Sequence, residues 1–483
     1  MRRSLVVAGT VGALLLGYLG LDATDHAPGL LTTRPLPPPP PTETAGTRTL
    51  PLVSQPSAST SVGMPLPPLA GAPDAPTGPG VTAALRTVLA LPALDDASLV
   101  VRDGQTGEVL LDRGGAERRI PASTTKLLSA AAISHVFGAD DVLRTEVVEG
   151  ASAGQVILVA GGDSLLAPGA GDPDAVAGRA GLGDLADQVA EALEREGRRR
   201  VTLSVDTTYA AGPLLAPTWD RTFRPLGITG AVAMLGRSDQ RARGGRPGPA
   251  DPVASTRDLL AQRLEERGVE VTVSTKPAKP APAASAGAAP TVLGSVESAP
   301  VGDQLALALT DSDNALTEIL ARQAAHRSGV DATKAGGTTF AATGAWVRRE
   351  VAALGVDASG VALSDASGLS RQNRVTARLL TDVLLLGYDG SDPVLRRALA
   401  GLPIGGLTGT LAGRFDGGAT HDAAGRARAK TGTLTGANAL AGSVVDVSGR
   451  LLVYAGLVGT APTAAARTAL DRYVATLADC GCH

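Results

Sequence analysis

Two apolar runs flank Asp103-Gly104 and Thr106-Gly107 in the stretch ASLVVRDGQTGEVLLDRG (97–114), a pattern that predicts a β-hairpin. From Ser123 the rhythm changes: Leu127, Leu128, Ala131, Ala132 and Val136 recur at helical spacing, so a helix should open there. RTEVVEGASAGQVILVAGGD (144–163) reads as a second hairpin, residues 183–196 as an amphipathic helix, and RRVTLSVDTT as the strand after it. Residues 275–290, TKPAKPAPAASAGAAP, lack any apolar period and predict a flexible loop. From Val301 the pattern is helical again. Near the end, NALAGSVVDVSG and LLVYAGLVG predict strands joined at Ser448-Gly449, and TAAARTALDRYVATLA a closing helix.

The first 80 residues follow neither rhythm. Met1-Arg2-Arg3 precedes an uncharged, mostly apolar run from Leu5 to Leu21, which reads as a signal-anchor or a cleaved signal peptide. A proline-dense segment follows, including Pro37 to Pro41, and should be a stiff, extended spacer. The expected organisation is a signal segment (1–25), a disordered spacer (26–80), a first catalytic part (81–148), an inserted domain (149–300), a second catalytic part (301–477) and a flexible tail (478–483).

Composition narrows the function. Hydrophobic residues make up 44% of the 483 residues but aromatics only 2%, so Ala, Val and Leu must build the core. The net charge of −3 and the lack of basic patches interleaved with aromatics argue against nucleic acid as a partner. Cys480 and Cys482 lie in the last four residues, so the folded body has no disulfide framework and no thiolate metal site; the terminal Cys-Gly-Cys-His reads as a frayed tail that could bind a metal or pair oxidatively. No metal or cofactor is expected.

Of 44 basic residues only Lys126, Lys276, Lys279, Lys334 and Lys430 are lysine. Lysine can lose its proton when its surroundings demand it, and arginine cannot. Lys126 closes Ser123-Thr124-Thr125-Lys126. On a helix, residues three apart share a face, so its amine can reach the Ser123 hydroxyl and serve as base to a serine nucleophile. Ser312-Asp313-Asn314 precedes an amphipathic helix, for which each residue is also a good N-cap. Lys430-Thr431-Gly432-Thr433 opens a strand-like segment, with Lys430 and Gly432 on one face and Thr431 and Thr433 on the other. Each motif is weak alone. Together they occur in the order SxxK, SDN, KTG, that of serine penicillin-binding proteins and class A β-lactamases.

Over residues 85–477 the chain resembles the D-alanyl-D-alanine carboxypeptidase/endopeptidase family of class C low-molecular-mass penicillin-binding proteins, the peptidase S13 type. GGDSLL (161–166), SDASGLSRQNRVT (364–376), LPIGGLTGTLAGRF (402–415) and AKTGTLTGANALAGSVVD (429–446) carry the likeness beside the three motifs. The resemblance implies an α/β transpeptidase fold of the penicillin-binding/β-lactamase type: an antiparallel sheet flanked by helices, a helical subdomain and a large inserted domain. It implies Ser123 as the acylated nucleophile, Lys126 as its base and Ser312 as a proton relay. Asn314 would contact the substrate amide, Lys430 supply positive charge, Thr431 and Gly432 line the third wall, and Thr433 hold the terminal carboxylate. The N–H groups of Ser123 and Thr433 would form an oxyanion hole. Asp163 and Arg371 match positions near the substrate's side groups. Thr435, where some members carry Gln, and Gly-Asp-Ser in place of the commoner Gly-Asp-Pro depart from the pattern. Peptidoglycan stem peptides are the implied substrates, β-lactams the implied inhibitors, and the wall side of the membrane the implied location.

Other readings fit less well. A class A β-lactamase needs a carboxylate to activate the deacylating water, and no Glu-x-x-Leu-Asn stands between residues 314 and 430. The only nucleophile-elbow pattern, GASAG at 150–154, is flanked by two strands and reads as a hairpin turn. The five histidines show no zinc-peptidase spacing. A non-catalytic wall-binding protein on the same fold is the alternative from a different class, against which the intact motifs argue.

Overall fold

The computed structural model describes residues 75–483 except 153, 277, 279–289 and 331–337. The apolar run Leu5–Leu21 and most of the proline spacer lie outside the described residues, as does most of the loop expected at 275–290. In chain order the elements are α1 (Gly78–Leu89), β1 (Ala97–Asp103), β2 (Val109–Arg113), α2 (Thr125–Ser134), β3 (Arg144–Glu149), β4 (Gln155–Val159), α3 (Leu182–Arg195), β5 (Arg200–Asp206), α4 (Pro252–Glu265), β6 (Glu270–Val273), β7 (Val292–Glu297), α5 (Val301–Asp311), α6 (Asn314–Arg327), α7 (Phe340–Ala353), α8 (Ala377–Tyr388), α9 (Pro393–Ala400), β8 (Ala427–Leu434), β9 (Ala437–Val445), β10 (Leu451–Val458) and α10 (Thr463–Ala478).

Two sheets organise the chain. The first runs β2-β1-β10-β9-β8 and is antiparallel throughout. Its strands alternate, so each face buries a different set of residues. Leu99, Val101, Leu440, Val444 and Tyr454 pack under α1 and α10, while Val100, Ala439, Ala441, Val453 and Leu457 face the helices α2 and α8. The alanines of β9 on that second face leave room for the 3-10 turn Ala122–Thr124 that leads into α2. All ten residues of α2 are buried, which an amphipathic surface helix would not show. The second sheet runs β6-β5-β4-β3-β7 and is mixed. Its β3–β4 pair is antiparallel, closed by donation from Gly150 N to Gln155 O (2.9 Å), whereas β4–β5 and β5–β6 are parallel and need α3 and α4 as crossovers.

Two boundaries differ from expectation. The folded body starts inside the expected spacer, because the Thr77 hydroxyl accepts from Gly80 N (3.1 Å) and Pro79 suits the first helical turn of α1. The C-terminus is not a flexible tail. Cys480 and Cys482 form a disulfide and are buried in the α1–α10 core, and Cys482 O accepts from Thr77 N (2.7 Å). Small apolar side chains and an otherwise unpaired N–H at the start of α1 hold these residues in place.

Candidate active site

Ser123 sits in a 3-10 turn, Ala122–Thr124, that leads into α2. The residue before it, Ala122, has φ +47°, a left-handed conformation that a non-glycine residue adopts only when its surroundings enforce it. Two glycines let those surroundings close in. A Cβ on Gly432 in β8 would lie 2.6 Å from Pro121 O, and one on Gly368 would lie 1.9 Å from Ala122 O. The KTG strand and the loop after residue 365 therefore press directly on the turn that carries Ser123.

One helical turn on, Lys126 is 1% exposed. Its Nζ donates to Ser123 Oγ (3.1 Å), Asn314 Oδ1 (2.5 Å) and the Ser367 carbonyl (2.7 Å). Burial lowers its pKa to about 8, and the nearby Asp365, Glu318 and Asp313 carboxylates oppose that shift. An amine at that value is neutral in roughly one molecule in ten at pH 7, against a few in ten thousand for an ordinary lysine.

The SDN segment caps α6. The Asp313 side chain accepts from Leu316 N (3.0 Å) and from Arg241 Nε (3.0 Å), and Arg241 also pairs with Asp311 (2.9 Å). Ser312 is half-buried with φ +55°, a second left-handed non-glycine residue at the site. Asn314 is held from both sides: Oδ1 by Lys126, and Nδ2 by donation to Ile228 O (2.7 Å). Ser312, Asn314, Ile228, Arg243 and Thr410 line a cavity of about 440 Å³.

On β8, burial alternates with the pleat: Lys430 and Gly432 are buried, Thr431 half-buried and Thr433 exposed. The Thr431 and Thr410 hydroxyls are 2.8 Å apart, and Thr433 Oγ1 accepts from Arg467 (3.3 Å). Lys430 Nζ donates to Thr431 O (2.9 Å). Burial first and then the Lys126 ammonium push its pKa well below the ordinary range, which works against the fixed positive charge expected of it.

Arg371 is exposed, and its Nη1 donates to Thr435 O (2.5 Å) beside the end of β8. Asp163 is buried in its own loop, where Oδ1 accepts from Leu165 N (2.7 Å) and burial raises its carboxyl to about 7. No hydrogen bond joins Asp163 to the three motifs among the described residues. Sequence reasoning missed two residues that do reach the centre. Asp365 accepts from Gly368 N (2.9 Å), Ser370 N (2.6 Å), Asn373 Nδ2 (2.7 Å) and Trp219 Nε1 (2.7 Å), and Glu318 accepts from Ala366 N (3.0 Å) and Ser367 N (2.7 Å). Glu318 stands four residues after Asn314, on the same helical face, a spacing that could have flagged it. Among the described residues no cluster of His, Cys, Asp and Glu is suited to a metal ion.

A hydroxyl held against a partly neutral amine that also binds a side-chain amide is an arrangement for acyl transfer through a covalent serine intermediate. Known proteins agree. The model of the D-Ala-D-Ala carboxypeptidase 3 (S13) family matches residues 81–227 and 223–479. The chain is 36% identical to carboxypeptidase DacB of Mycolicibacterium smegmatis over 411 residues, 84% of this chain and 85% of that one. It is 31% identical to the D-alanyl-D-alanine carboxypeptidase of Actinomadura sp. strain R39, covering 78% of this chain and 81% of that one. Its fold matches penicillin-binding protein 4 of Haemophilus influenzae with a TM-score of 0.63 at 18% identity, over 82% of this chain and 98% of that one. With the match spanning all three motifs and the stretch between them, the chain belongs to the S13 family of D-Ala-D-Ala carboxypeptidases.

Proposed function

We propose that this serine D-Ala-D-Ala carboxypeptidase trims peptidoglycan stem peptides through an acyl-enzyme on Ser123. The observation that carries the assignment is the Lys126 Nζ, buried, partly neutral and 3.1 Å from Ser123 Oγ. Lys126 takes the Ser123 proton as Oγ attacks the carbonyl of the penultimate D-alanine. The N–H groups of Ser123 and Thr433 receive the oxyanion. Collapse breaks the peptide bond, and the departing amine of the terminal D-alanine receives its proton through Ser312. Water then attacks the ester, with Lys126 again as base, and releases the shortened peptide.

Asn314 accounts for substrate orientation, and Thr431 and Thr433 for the terminal carboxylate, on the wall opposite α6. An arriving carboxylate would favour the charged form of Lys430, so the positive charge would develop with binding. Arg371 and Asp163 are assigned to the substrate's side groups. β-Lactams should acylate the same Oγ, because their strained amide imitates the scissile bond. The inserted stretch 149–300 is assigned as a lobe that builds one wall of the cleft, on the strength of Ile228 O at Asn314 and Arg241 at Asp313.

The wall side of the membrane is where such a substrate lies, and Leu5–Leu21 is assigned as the export segment, retained as an anchor. No helix among the described residues is long and apolar enough to cross a membrane. Release of D-alanine from a stem pentapeptide, lost in Ser123→Ala, tests the activity; residence of the mature chain in the washed membrane fraction tests the anchor.

A further inference from the structure

Lys126 points at Ser123 only if its other acceptors are fixed. One of them, the Ser367 carbonyl, belongs to a loop that has no strand or helix of its own to hold it. Two buried carboxylates hold it instead. Asp365 grips Gly368 N and Ser370 N from within the loop, and Trp219 and Asn373 satisfy its remaining acceptor sites. Glu318 grips Ala366 N and Ser367 N from a different element, α6. The same helix presents Asn314 Oδ1 to Lys126, so Glu318 ties two of the three acceptors around Nζ into one rigid unit.

Glu318 is 1% exposed, and among the described residues no basic side chain is in ion-pair contact with it. A carboxylic acid is an expensive way to bind two backbone N–H groups in the interior, since an amide would do so without the desolvation cost of a charge. Building on Ser123 as nucleophile and Lys126 as base, we propose that Glu318 is a positioning residue for acyl transfer: it holds the Ser367 carbonyl that directs Lys126 at Ser123.

The charged groups on the elements packed around it tie its charge to that of Lys126. Asp365 of the loop and Arg322 of α6 act on Glu318, and Glu318, Asp365 and Asp313 at the cap of α6 act on Lys126, with Lys430 of β8 beyond it. Burial and then Asp365 raise the Glu318 carboxyl to about 8, the same range as Lys126, and an ionised Glu318 makes Lys126 harder to deprotonate. Removing the acid while keeping its acceptor should therefore move the Lys126 titration to lower pH.

The test compares wild type, Glu318→Gln and Glu318→Ala by the rate of Ser123 acylation with benzylpenicillin from pH 6 to 10. Glu318→Gln, which can still accept both N–H groups, should keep most of the maximal rate while the acid limb of its profile moves to lower pH. Glu318→Ala should acylate at least about tenfold more slowly, as expected when the base is misplaced. A Gln variant whose acid limb coincides with wild type overturns the coupling even if the Ala variant does not fold, and a folded Ala variant with the wild-type rate overturns the positioning role. Failure of the wild type itself to acylate would instead overturn the assignment of Ser123 and Lys126.

Discussion

Lys126→Arg separates a base from a mere positive charge. In the wild type, with a pKa of about 8, roughly a tenth of the molecules carry a neutral amine at pH 7. A guanidinium has a pKa above about 12, so fewer than about one in 10⁵ is neutral at the same pH. If the rate follows the neutral fraction, acylation should fall by about 10⁴-fold, near the upper end of what a general base contributes. Lys126→Ala should fall comparably. The wild-type rate should climb with pH through about 8 and level off above about 9, whereas the Arg variant should show no rise in that window. Stopped-flow acylation with a chromogenic cephalosporin across pH 6 to 10 reads both quantities. The site is tightly packed, so overpacking should cost about 1–3 kcal/mol, and circular dichroism checks that the variant is folded. A folded Lys126→Arg that acylates at more than about a tenth of the wild-type rate at pH 7 would refute the general-base role.

Three further outcomes follow from the geometry. Gly432→Ala places a Cβ 2.6 Å from Pro121 O and must displace the turn carrying Ser123; acylation should drop on the order of 10²-fold, and a rate near wild type would show that the turn tolerates the shift. Trp219→Phe removes one of the donors to buried Asp365 and should cost about 1–3 kcal/mol in urea unfolding while also slowing acylation; stability and rate both unchanged would detach the inserted stretch from the site. Asp163 has a folded-state pKa raised by burial from 3.8 to about 7, so its contribution is favourable at low pH and is lost as pH rises from about 4 through 7. Asp163→Asn should therefore gain melting temperature relative to wild type as pH increases across that window, and a constant difference would contradict the shift.

The sequence made the catalytic frame legible where local rules decide it. The hairpin β1–β2, the closing helix and the strands at 438–459 follow from period-2 and period-3.6 patterns and from turn residues. Spacing alone put Lys126 on the face of Ser123, and the pleat put Lys430 and Gly432 on the buried side of β8. What stayed hidden depends on long-range contact. Nothing local in SDASGLSRQNRVT shows that Asp365 accepts from Trp219, 146 residues earlier, or that Glu318 reaches the loop from α6. The burial of all of α2 was hidden for the same reason: the hydroxyl of its Ser129 donates to Ala366 O (2.6 Å), far along the chain. The C-terminus misled because two cysteines at a chain end resemble a frayed tail until α1 is seen beneath them.

The most direct test of the whole account is the intact mass of the purified protein after incubation with benzylpenicillin, beside a Ser123→Ala control. The account predicts one penicilloyl adduct per chain on the wild type, mapped to the peptide containing Ser123, and none on the control. A folded wild type without an adduct, or an equal adduct on the Ser123→Ala protein, would contradict it.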